Sequence, residues 1–290
     1  MGSTGAAQRR ATTWRLRNEV LGFPHPLAVG IVNVTVDSFF EDARSGTPHG
    51  AIRDGLRLTR AGFDLLDVGA VAAAAGPPVP PDEEAARLIP AIEGITAARR
   101  LTVMADTFVP EVARRAIDAG AAAINDTGGG RDPAMLELVA ETGCGMVVMH
   151  IEGPPREQRE PPSYGDPVEH LKRWFGERLA EARARGVRDE QIALDPGLDF
   201  DLSVDDDIEI LMRLGELREL GRPLFVSLSR KDFLGAILAG SWEQRAPARG
   251  REWATAAAVA LAATAGAELF RLHDRSAADA MRVAHRIANG

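Results

Sequence analysis

The chain has 290 residues, a net charge of −8 and 45% apolar residues, which suits either one large α/β domain or two ordinary ones, with a sizeable core to bury. That acidic balance excludes a sequence-independent nucleic-acid surface, which needs concentrated Lys and Arg, and no run approaches the ~18 apolar residues of a membrane span. The single cysteine, Cys144, excludes an intramolecular disulfide and a Cys-based zinc site, and its place just before an apolar run reads as a buried packing thiol.

Residues 1–26 lack the apolar h-region of a signal peptide and read as a flexible leader and lead-in, which places the chain in the cytoplasm. From residue 27 onward, strand-like and helix-like segments alternate, as in parallel βα units. Strands are predicted at 27–35, 63–69, 101–107, 121–127, 145–151, 191–197, 223–229 and 267–273. Helices are predicted at 82–98, 109–119, 133–141, 167–185 and 204–220, with apolar stripes such as Val168, Leu171, Phe175 and Leu179. Gly62, Gly120, Gly143, Gly186, Gly221 and Gly266 each punctuate a helix end shortly before the next strand.

Roughly eight such units in roughly 250 residues match a (β/α)₈ TIM barrel, here a single domain over 27–290, with its site at the C-terminal ends of the strands. An open doubly wound sheet would show a Gly-rich phosphate loop after its first strand, and Gly30-Ile31-Val32-Asn33-Val34-Thr35 has none. The Pro-rich stretches 76–81 and 153–167 then fall in βα loops on the functional face. The connection 236–251, with Arg245, Arg249 and Arg251, reads as a solvated face or a flap.

Polar residues end six of the apolar runs, which points to a shared pocket. Asp106, Asn125 and Asp195 end three of them and Lys231 follows a fourth. Any one of these could cap a helix. Together they offer carboxylates, an amide and an ammonium, the palette that a planar heterocycle with an amidine-like edge and a ring carbonyl requires. Arg271 and His273 alternate on one strand, so both can point inward. They could pair with a carboxylate such as Asp37 or, with Arg230, form an anion site for phosphate or pyrophosphate. Asn33 could offer its amide oxygen to a hard cation such as Mg²⁺. His150 reads as a structural histidine in preference to a ligand-binding one.

At these residues the chain resembles the dihydropteroate synthase family. The segment Gly30-Ile31-Val32-Asn33-Val34-Thr35-Val36-Asp37-Ser38-Phe39 matches that family's opening motif except at Val36. The elements Asp67-Val68-Gly69, Ala105-Asp106-Thr107, Ile124-Asn125-Asp126, Met149-His150, Asp195-Pro196-Gly197, Ser229-Arg230-Lys231 and Arg271-Leu272-His273-Asp274 follow in family order. The resemblance implies a pterin pocket formed by Asp106, Asn125, Met149, Asp195 and Lys231. It implies a diphosphate site of Asn33, Arg271 and His273, with Mg²⁺ as cofactor and Asn33 as its ligand. It assigns catalysis to Asp37, Lys231, Arg271 and His273, and contact with the acceptor to Phe200 and Ser229. The implied reaction joins 6-hydroxymethyl-7,8-dihydropterin diphosphate to p-aminobenzoate in folate biosynthesis, and the implied assembly is a homodimer.

The second loop departs from the pattern. Ala72, Ala73 and Ala74 stand where the family has Ser, Thr and Arg, and Ala75 stands where it has Pro. Asp199 replaces a Gly, Leu202 a Lys, and Asp232 a Ser. The pterin half of the expected site is kept and the acceptor half is rewritten. That split leaves a synthase of low activity or altered acceptor, a pterin-binding paralogue without synthase activity, and a methyltetrahydrofolate-binding methyl-transfer domain as the readings to separate.

Overall fold

The computed structural model describes residues 11–34, 47–74, 76–98, 101–157 and 159–290. Each predicted strand forms within a run too apolar to leave in water: β3 (Leu27–Asn33), β4 (Leu65–Gly69), β5 (Thr102–Asp106), β6 (Ala123–Asp126), β7 (Gly145–Met149), β8 (Ile192–Asp195), β9 (Phe225–Ser227) and β10 (Leu269–Leu272). These eight lie parallel in the order β8-β7-β6-β5-β4-β3-β10-β9. An isolated parallel bridge from Leu194 to Leu224 joins the two outer strands, so the sheet is a nearly closed barrel.

Helices follow the strands: α1 (Pro48–Arg60), α2 (Pro81–Ala98), α3 (Pro110–Asp118), α4 (Pro133–Thr142), α5 (Pro167–Ala184), α6 (Val204–Met212), α7 (Asp232–Ala239), α8 (Glu252–Ala265) and α9 (Arg275–Asn289). Their ends obey local chemistry. At α5 the Asp166 carboxylate accepts from the backbone N–H groups of Val168 and Glu169, and Pro167 occupies the first turn, where its missing N–H costs nothing. The expected helix 204–220 stops as α at Met212 and continues as a 3₁₀ segment, Leu214–Leu220. The first part of the expected 236–251 connection is helical, inside α7. None of the described helices is long and apolar enough to cross a membrane.

The period-two geometry of a strand places alternate residues on one face. Val29, Leu65, Met104, Ala123, Val147, Ala193, Phe225 and Leu269 pack together inside the barrel, while their chain neighbours pack outward against the helices. Two residues further along each strand, the same inward-facing column becomes Ile31, Asp67, Asp106, Asn125, Met149, Asp195, Ser227 and Arg271. The lumen is thus apolar at its base and polar at its mouth, on strands whose outward faces are apolar except at Asp126, the last residue of β6.

The lead-in expected to be flexible through residue 26 is different over its described part. β1 (Thr13–Arg15) and β2 (Val20–Gly22) form an antiparallel hairpin that closes the base of the barrel. Trp14 is fully buried there, in the cluster that contains Val147 and Ala193, and its Nε1 donates to the Gln191 carbonyl at 2.8 Å. Truncation would leave a cavity and an unpaired carbonyl. We predict that Trp14→Ala destabilises the protein by about 3–5 kcal/mol, measured by urea denaturation; a loss below about 1 kcal/mol would show that the hairpin is not part of the folding unit.

Candidate active site

Arg271 points inward from β10 into the mouth of the barrel. Its Nε donates to Asp67 Oδ2 at 2.5 Å and its Nη2 to Asp106 Oδ2 at 2.8 Å. Asp67 Oδ2 also accepts from Asn125 Nδ2 at 3.0 Å, so residues from four strands meet in one cluster. Burial and the nearby Asp67 carboxylate push Asp106 up to about 8, against the opposite pull of Arg271. The carboxylates in turn raise Arg271, which stays charged. Two acceptors in the cluster, Asp67 Oδ1 and Asn125 Oδ1, are buried and accept no hydrogen bond among the described residues. Such a group is rare in a folded interior and calls for an explanation.

Asp195 faces the same space from β8. Burial raises it to about 6, while the Gly197 N–H at 2.9 Å and the charge of Lys231 pull the other way. Gly197 is irreplaceable here: its φ is 71° and an added Cβ would lie 2.1 Å from the His150 carbonyl. The Lys231 ammonium donates to the Leu198 carbonyl at 2.7 Å and lies 4.6 Å from the Phe200 ring centroid. Met149 is buried and faces inward beside Asp195, its partner in the strand register. Asn33 sits half-buried at the tip of β3.

His273 Nδ1 lies 2.9 Å from Ser229 Oγ. Burial and the charges of Arg271 and Arg230 push this imidazole down to about 3, so near neutral pH it offers hydrogen bonds and no charge. Arg230 is turned toward Asp274 Oδ2 at 2.7 Å rather than standing clear for an anion. Asp37 lies outside the described residues. The structure therefore brings Asp106, Asn125, Met149, Asp195, Lys231 and Arg271 around one mouth, with Asn33, Phe200, Ser229 and His273 on its rim.

Two groups that matter here escaped the sequence reading. Asp67 is the hub of the ion cluster; its signal was parity, since Leu65, Asp67 and Gly69 share one strand face. Arg156, in the Pro-rich loop after β7, clamps the second loop. Its backbone N–H donates to the Ala73 carbonyl at 2.8 Å, and its guanidinium donates to the carbonyls of Ala72 and Pro77. No local pattern marks that role. The described part of the alanine run offers only its backbone, and Arg156 takes that up.

The opposite rim is also rebuilt. Asp199 accepts from the backbone N–H groups of Asp232 at 2.5 Å and Phe233 at 2.8 Å, so its carboxylate caps α7 from outside the helix. Asp232 is held by Arg251 at 2.5 Å and by Arg245 at 3.2 Å. Arg251 is itself buried, and so not part of a solvated face or flap.

Residues 29–273 match the family described as pterin binding enzyme. The chain is 34% identical over 265 residues to the dihydropteroate synthase of Escherichia coli K12, covering 91% of this chain and 92% of that one. It is 38% identical over 254 residues to a Mycobacterium leprae protein named inactive dihydropteroate synthase 2, covering 86% and 85%. A solved Xanthomonas albilineans dihydropteroate synthase with 4-aminobenzoic acid superposes with a TM-score of 0.85 at 37% identity, over 96% of this chain and 100% of that one. The fold and site define a pterin-binding TIM barrel. The chain belongs to the dihydropteroate synthase family.

The cluster makes a direct prediction. With Asp67→Asn, Asp106 keeps its guanidinium partner and loses the repelling carboxylate, so it should titrate well below 8 by carboxyl ¹³C NMR. An unchanged titration would mean that the two carboxyls do not share Arg271.

Proposed function

We propose that this protein is a dihydropteroate synthase-type transferase that binds 6-hydroxymethyl-7,8-dihydropterin diphosphate tightly and serves p-aminobenzoate poorly. One observation carries the reading: Asn125 Oδ1, a buried acceptor with no partner among the described residues, lies on the inward face with Asp106 and Asp195. A pterin supplies the matching donors, through its exocyclic amine and ring N–H groups. Asp106, Asn125 and Asp195 accept from that edge, Lys231 donates to the ring carbonyl, and Met149 lines the slot. Arg271, held in place by Asp67 and Asp106, directs its charge to the diphosphate.

In the reaction the bond from the pterin methylene to diphosphate breaks and the amine of the acceptor takes its place. Arg271 stabilises the departing diphosphate electrostatically, and His273 adds a hydrogen bond. The donor chemistry at Asn33 fits Mg²⁺, which takes one or two protein oxygens and keeps its other positions for phosphate and water. When bound, the ion supplies further neutralisation of the diphosphate. The protein is cytoplasmic and a homodimer through α8 and α9, where Trp253, Leu261, Val283 and Ile287 leave large apolar side chains exposed.

The acceptor half is weakened in three ways. The alanines at 72–74 supply no side-chain donor, and the carbonyls of Ala72 and Ala73 accept from Arg156. The N–H groups that open α7 are taken by Asp199, and Asp232 adds a second carboxylate beside Lys231. A carboxylate-bearing acceptor thus meets a terminus already capped by a carboxylate. The same observations favour a second reading, a pterin-binding paralogue without synthase turnover, which matches the name of the M. leprae relative.

Incubation with the pterin diphosphate, Mg²⁺ and p-aminobenzoate should yield dihydropteroate about a hundredfold or more slower than the E. coli relative, the scale of losing one charge-stabilising group. Pterin-induced thermal stabilisation without product would select the second reading, and no stabilisation by any pterin would sink both. The binding should also depend on pH. Asp195 must be ionised to accept pterin N–H groups and its pKa is about 6, so its protonation alone should raise the dissociation constant about tenfold from pH 7 to pH 5, with Asp106, at about 8, able only to add to that rise. A flat profile over that range would remove Asp195 from the pterin contact.

A further inference from the structure

Beyond Met149 the chain leaves the barrel mouth and enters a second polar cluster. His150 is fully buried, while the side chains of Glu152 and His170 are 27% and 23% exposed. His150 Nε2 lies 3.3 Å from Glu152 Oε1, and His170 Nε2 lies 2.8 Å from the same oxygen. One potential ligand atom from each of the three falls within 4.8 Å of the other two.

Two further observations point to a ligand. His170 Nε2 is buried and, although it lies 2.8 Å from Glu152 Oε1, makes no well-directed hydrogen bond among the described residues. His150 Nδ1 is likewise buried and has no hydrogen-bond partner among the described residues, while the ring's Nε2 faces Glu152. The surroundings are rigid. The Glu152 N–H donates to Asp201 Oδ2 at 2.8 Å, and the Tyr164 ring packs 4.4 Å from His170.

We propose that His150, Glu152 and His170 form a Zn²⁺ site that fastens the loop after β7 to α5. Two imidazoles and one carboxylate are a known Zn²⁺ ligand set, with the fourth position left to water. Tetrahedral ligands at Zn²⁺ bond lengths lie about 3.3 Å apart; the His150 to Glu152 separation already has that value, and the His170 ring needs a small rotation. The loop so fastened carries Arg156, the residue that clamps the alanine loop. Next to the cluster, the His150 N–H donates to the Asp195 carbonyl at 2.8 Å. The ion would sit outside the proposed pterin pocket and order one of its walls.

The test uses the full chain, stripped of metal and titrated with Zn²⁺ by calorimetry and with Co²⁺ by visible absorption. One equivalent should bind per chain. Co²⁺ should give the intense d–d bands of a tetrahedral site, and Zn²⁺ should abolish them while Mg²⁺ does not. Glu152→Gln and His170→Gln, each checked for a cooperative melt, should lose the bands and weaken Zn²⁺ binding at least about a hundredfold, the upper end of what losing even an outer-shell partner of a ligand costs. No saturable uptake by the folded wild type, or a saturable site that survives in both variants, would overturn the proposal. Neither result depends on pterin binding or turnover.

Discussion

Arg271 reaches across the barrel to Asp67 and Asp106, and much of the geometry of the mouth follows from that ion cluster. Two buried carboxyls this close cannot both stay ionised without a cation, and a buried guanidinium cannot stand alone. Each group is therefore held in place by the others, and Asn125 is oriented by its bond to Asp67. The result is a polar layer set rigidly on an apolar plug. Such preorganisation lets a small planar ligand bind without first ordering the groups that receive it.

The two halves of the mouth have different mechanical origins. Asp106, Asn125, Met149, Asp195 and Arg271 stand on strands, whose positions the barrel's hydrogen bonding determines. The second loop and the start of α7 are held by loop residues, Arg156 and Asp199, both at positive φ (69° in each case). Strain of that kind persists only where surrounding contacts over-determine it, and here those contacts are bonds to the backbone of the second loop and of the start of α7. Those two segments are thus held by the chain itself, while the strand-borne side keeps unsatisfied acceptors.

Much of this was legible in the sequence, for a physical reason. A strand buried on both faces must read as an apolar run, so the eight strands and their order stood out, and a polar residue of inward parity near the end of such a run pointed to the mouth. Asp67 obeyed the same rule but sits mid-run, where parity alone distinguishes it from core. The N-terminal hairpin was hidden because its sequence around Trp14 is mostly polar and becomes buried only against the barrel's base. The roles of Arg156 and Asp199 were invisible for a related cause. Each binds backbone atoms far along the chain, in the loop at 72–77 and at the start of α7, and no residue type there signals the contact.

The central claim is that the strand-borne acceptors of the mouth recognise a pterin irrespective of what became of the acceptor loop. Calorimetric titration of 6-hydroxymethyl-7,8-dihydropterin into the wild type and into Asn125→Ala tests this most directly. Saturable one-to-one binding by the wild type, weakened about tenfold or more in the variant, is the predicted result. Absence of binding by the folded wild type, or equal affinity in the two proteins, would contradict it.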